Sequence, residues 1–126
     1  MSERKIKITA GSAAAAAVLN DSGTASKIWD ALPITGVANR WGEEIYFSIP
    51  VSDGSAPDAR EVVSMGELAY WPPGKAFCIF FGRTPVSRGS EIRAASAVNP
   101  LGSVSGDAKV FLKVRDGEAV MIEKAE

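Results

Sequence analysis

Histidine is absent from the 126-residue chain, and cysteine occurs once, at Cys78. Without an imidazole there is no Ser-His or Cys-His nucleophile pair, no His-ligated zinc and no side chain that ordinarily exchanges protons near neutral pH. A single thiol cannot close an internal disulfide, so a disulfide-stapled secreted scaffold is excluded and the cytoplasm is the expected compartment. An excess of one charge is missing too. Fourteen Lys and Arg face fifteen Asp and Glu, a net charge of -1, which leaves no basic footprint for nucleic acid or for an anionic membrane. The apolar run over 13–19 has seven residues, mostly alanine, against the roughly 20 that span a bilayer. No phosphate-loop pattern occurs, and Asp53, Asp58, Glu61 and Glu67 are scattered without metal-loop spacing, so neither a metal nor any other cofactor is expected.

What is present is an ordinary globular composition, 46% hydrophobic and 23% charged. It predicts one domain over residues 1–126, large enough to bury a core without a structural metal. Lys5-Ile6-Lys7-Ile8-Thr9 alternates with period 2, the pattern of a strand with one buried face. Glycine and asparagine on either side of the alanine run confine it to strand length. Ala25, Ile28, Trp29 and Leu32 recur at helical spacing, with Ser22 or Thr24 as N-cap and Pro33 as terminator. Further strands are predicted over 44–50, 66–71, 76–82, 94–98, 110–114 and 119–123, the last two joined by an Asp116-Gly117 hairpin. The stretch 51–60 reads as a surface loop. Seven or eight short strands and one helix point to a closed barrel or a sandwich.

The segment over 66–85, with Tyr70-Trp71-Pro72-Pro73-Gly74-Lys75-Ala76-Phe77-Cys78 at its centre, and Asn39-Arg40-Trp41-Gly42-Glu43-Glu44-Ile45-Tyr46-Phe47 upstream, resembles the small prokaryotic cyclophilin-like proteins, whose function is uncharacterised. The resemblance implies an all-β fold, a closed barrel of about eight strands with one short α-helix and an interior filled by side chains. Cyclophilins are peptidyl-prolyl isomerases, and that chemistry needs electrostatic placement rather than proton transfer. Their arginine is matched by Arg40. The aromatic expected five residues later falls at Ile45, their glutamine at Ser48 and their groove-facing phenylalanine at Cys78.

In this register Arg40, Tyr46, Ser48, Cys78 and Phe80 project onto one outer groove, while Ile45, Phe47, Phe77, Ile79 and Phe81 point into the barrel. An apolar groove with one cation at its edge suits a short peptide or a planar acidic small molecule. The expectation is therefore a peptide or small-molecule binding module without efficient catalysis. The alternative is a weak prolyl isomerase in which Arg40 is catalytic and Tyr46 and Phe80 hold the ring. An assembly role through an exposed sheet face is a third reading, and the oligomeric state is not legible. Structural readings stand beside these: Arg40 paired with Glu43 or Glu44, 71–74 as a stiff corner, and Cys78 as an inert, half-buried thiol.

Overall fold

A computed structural model of the chain describes residues 4–125. Ten strands form one antiparallel sheet: β1 (Arg4–Ala10), β2 (Ala13–Leu19), β3 (Ile34–Val37), β4 (Asn39–Arg40), β5 (Glu44–Ser48), β6 (Arg60–Val63), β7 (Glu67–Trp71), β8 (Ala76–Phe80), β9 (Ile92–Val104) and β10 (Ala119–Lys124). The helix α1 (Gly23–Ala31) lies between β2 and β3. Its N-cap is Ser22, whose hydroxyl accepts from the Ala25 amide, as the sequence pattern requires.

The strand order is β3-β10-β1-β2-β9-β7-β8-β5-β4, with β6 paired to β9 off this path. No hydrogen-bonded seam joins the two ends of the sheet. The wall is completed by the chain itself, because the outermost strands β3 and β4 are one segment that changes partner at Ala38, from β10 to β5. With that segment taken as one and β6 set aside, the wall has eight strands. Inside it Ile6, Ile8, Ile45, Phe47, Phe77, Ile79 and Phe81 pack as one core. All five inward positions expected from the 44–50 and 76–82 patterns are therefore occupied as read. Helix α1 brings Ala25 and Ile28 into one end of this core. At the other end Phe111, from a 3-10 helix over Ala108–Lys113, sits 6.2 Å from the Phe81 ring.

Two local expectations fail. Residues 110–114, read as a strand, fall mostly within that 3-10 helix, whose N-cap Asp107 accepts from the Lys109 amide. Phe111 then plugs the barrel end instead of joining the wall, and Asp116-Gly117 closes a turn rather than a hairpin. The short strands β3, β4 and β6 were not legible, being too short or too polar to carry a period.

The strand β9 has thirteen residues, and its two halves do different work. The second half pairs with β7 and β2 in the barrel wall. Gly102 permits that close approach, since a Cβ there would lie 2.0 Å from the Val18 carbonyl oxygen. The first half pairs only with β6. It lies over the outer surface of the wall as a second layer, and the site forms beneath it.

Candidate functional site

Residues opposite one another in antiparallel strands share a face. On the outer face of β5 and β8 the pairs are Glu44 with Phe80, Tyr46 with Cys78 and Ser48 with Ala76. Next to them β7 supplies Ala69, opposite Cys78, and Trp71, opposite Ala76. Ile92, Ala94 and Val98 of β9, with Val63 of β6, cover Ala69, Cys78 and Phe80 to make a small second core outside the barrel. All five positions of β8 are buried, Phe77 and Ile79 by the barrel and Cys78 and Phe80 by this layer.

The layer is incomplete. Where it ends, a pocket of about 220 Å³ opens to the surface between Trp41, Tyr46 and Trp71, over Glu44 and Cys78, with Ala94, Ala95 and Val98 on the β9 side. Tyr46 and Trp71 meet edge to face, with ring centroids 6.4 Å apart and planes at 67°, so two walls stand at a steep angle. The Trp71 indole is fixed by its Nε1, which donates to Ser96 Oγ at 2.7 Å. Trp41 is carried by a tight turn in which its backbone amide donates to the Glu44 carbonyl at 2.9 Å.

At the base of the pocket Glu44 is 4% exposed, and its Oε1 has no hydrogen-bond partner. Burial pushes its carboxyl up to about 7, and a hydrogen bond from the Cys78 thiol works in the opposite direction. The same burial, with the Glu44 carboxylate beside it, holds the Cys78 thiol well above its ordinary value. Cys78 is thus a neutral, unreactive wall, more deeply buried than the half-buried thiol expected.

The expected site residues separate into two groups. Tyr46 and Cys78 line the pocket, and Phe80 lies fully buried under β9 as part of its support. Ser48 is on the same face but exposed at the far end of β5, its hydroxyl 3.4 Å from the Gly74 carbonyl. Arg40 is elsewhere. It pairs with the inward residue Ile45, so it faces the barrel end rather than the groove. Its guanidinium lies 5.1 Å from the Phe81 ring centroid and donates to the carbonyls of Leu112 and Val114, each at 2.9 Å, and of Gly42. These carbonyls, rather than Glu43 or Glu44, are its partners.

The groove therefore carries a carboxyl where a cation was expected. Glu44 and Trp41 were missed as site residues. The two signals that could have found them were the outward parity Glu44 shares with Tyr46 and an aromatic three residues before it. The 71–74 turn serves both readings: it is a rigid corner, with Lys75 left-handed at φ 48, and it presents Trp71 to the pocket. Among the described residues no helix is long and apolar enough to cross a membrane.

A family model described as cyclophilin-like matches residues 4–123. Among solved structures, the solution structure of a hypothetical protein from Archaeoglobus fulgidus is 42% identical, covers 98% of this chain and 95% of that chain, and has a TM-score of 0.82. No curated protein matches the chain.

Proposed function

The chain belongs to the cyclophilin-like family, and from that premise we propose that it is a binding module that seats a small molecule or a peptide side chain in the pocket between Trp41, Tyr46 and Trp71. The observation that carries this reading is an aromatic-walled cavity of about 220 Å³ with an unpartnered, buried carboxylate oxygen at its base. Concave, mostly apolar sites with one placed polar group are the usual form of ligand pockets. In this reading the module works in the cytoplasm, where its single thiol remains reduced, and engages neither nucleic acid nor membrane.

Binding without turnover is favoured over prolyl isomerisation by the state of Arg40. Three of its N–H groups are already donated to backbone carbonyls, so polarising a prolyl nitrogen would require breaking those bonds. An Ala-Pro peptide assay beside Arg40→Ala, together with a fragment set followed by amide and indole shifts, tests both halves. The expected result is baseline isomerisation for both proteins, with fragment shifts concentrated on Trp41, Trp71 and Cys78. A ligand at a hundred times its Kd would add roughly 2.7 kcal/mol of stability. Isomerisation that scales with protein and is lost in Arg40→Ala would overturn the reading in favour of a weak enzyme. A pocket left untouched by every fragment would overturn it altogether.

A further inference from the structure

Resting on the reading of this pocket as a ligand site, we propose that its ligand is an alkylammonium group, a protonated amine with small alkyl substituents. Its N–H is donated to Glu44 Oε1 and its alkyl groups lie against Trp41, Tyr46 and Trp71. Three observations converge on this. Glu44 is almost wholly enclosed yet has an oxygen without a partner, a costly arrangement that an incoming hydrogen-bond donor relieves. Three aromatic residues form the walls, and ring faces attract organic cations. No lining residue carries a positive charge.

Charge selects between kinds of donor. A neutral amide or alcohol would satisfy the oxygen but leave a net negative charge buried, whereas an ammonium neutralises it. An anion would meet the Glu44 carboxylate and is disfavoured. The titratable groups facing Glu44 are the Cys78 thiol of β8 and the Tyr46 phenol of its own strand, and β9 presents only Ala94, Ala95 and Val98 there. Arg93, the nearest cation on β9 in sequence, is held by Glu61 at 2.7 Å and Glu91 at 2.7 Å.

A further consequence is coupling to protons. Because burial holds the free carboxyl near 7, a cation bound below that pH must displace a proton from Glu44. Affinity for the ammonium then rises with pH and levels off above neutrality. The ionised fraction, and with it the affinity, falls roughly tenfold between pH 8 and pH 6.

Trimethylammonium chloride and the neutral, similarly shaped tert-butyl alcohol are the probes, titrated into the full chain at pH 8 and pH 6 with the pocket indoles and amides as reporters. The ammonium should bind roughly tenfold more tightly at pH 8, lose most of that advantage at pH 6, and show neither effect with Glu44→Gln. The pH series on the unaltered protein needs no variant, so it decides the matter even if Glu44→Gln does not fold. Equal affinity for the two probes would overturn the ammonium assignment and leave the pocket a neutral-ligand site, and an ammonium affinity indifferent to pH would overturn Glu44 as the group that receives the N–H. Failure of both probes, with fragments of other chemistry still binding, would also overturn it and leave the binding module standing. A dimethyl-lysine peptide beside dimethylethylammonium supports the proposal in either order and names the source. Tighter binding of the peptide assigns an amine presented on a chain, and equal or weaker binding assigns a free one.

Discussion

Two buried carboxyls lie on either side of the outer layer, and their surroundings differ. In the corner where β6 and β7 meet, Glu67 is 6% exposed and fully engaged: Arg60 donates to Oε2 and the Ser64 amide to Oε1, the latter at 2.8 Å. At the pocket Glu44 is 4% exposed and has one oxygen without a partner. The first arrangement is closed within the chain and reads as architecture, for the ion pair and the amide bond offset the desolvation of the carboxylate. The second leaves a cost unrecovered, which is how binding sites differ from cores of similar burial.

Replacing each carboxyl in turn tests that contrast, and the largest effect is expected at Glu44. An unfolded glutamate titrates near 4.5 and the folded one near 7, so between these values the folded state holds the extra proton. Stability contributed by the neutral form is full below about pH 4.5, declines as pH rises, and is lost above about pH 7. Glu44→Met, which cannot ionise, should therefore be more stable than the parent at pH 8 by up to about 3 kcal/mol compared with the difference between them at pH 4. Urea midpoints at the two pH values measure this, and an equal difference at both would place the cost of Glu44 in packing rather than charge.

Glu67 should respond in the opposite sense. Glu67→Ala frees the Ser64 amide and removes the Arg60 partner, and a loss of about 2 kcal/mol is expected. A loss below about 0.5 kcal/mol, within the range of ordinary surface substitutions, would erase the distinction between the two sites. Arg40 gives the smallest effect and sharpens the comparison, since its guanidinium is also satisfied within the chain. Arg40→Ala should lower stability by about 1 kcal/mol through the lost carbonyl and ring contacts. Probe affinity in the pocket should be unchanged, and weakened binding in this variant would join Arg40 to the site after all.

How far these features were legible depended on the range of the interaction that set them. The helix cap at Ser22 and the alternation over 44–48 and 76–80 are local, and they gave the elements and both faces of β5 and β8 correctly. Arg40 was placed on the wrong face because β4 has two residues, too few to reveal a period, and only its pairing with Ile45 settles where it points. Residues 110–114 were misread because an apolar run of strand length can equally plug a barrel end. Glu44 shares the outward parity of Tyr46, but the sequence reading offered it only as a partner for Arg40, whose guanidinium is held by backbone carbonyls instead.

By itself the sequence determined that β8 is apolar on both faces, that its odd residues fill a barrel, and that Tyr46, Ser48, Cys78 and Phe80 lie together on the other side. Period-2 alternation names the face on which a side chain stands. It does not name what covers that face. The tertiary structure decided that the first half of β9 would leave the wall and lie over Cys78 and Phe80. By ending short of Trp41 and Tyr46, that layer leaves a carboxyl buried and open to a ligand at the same time.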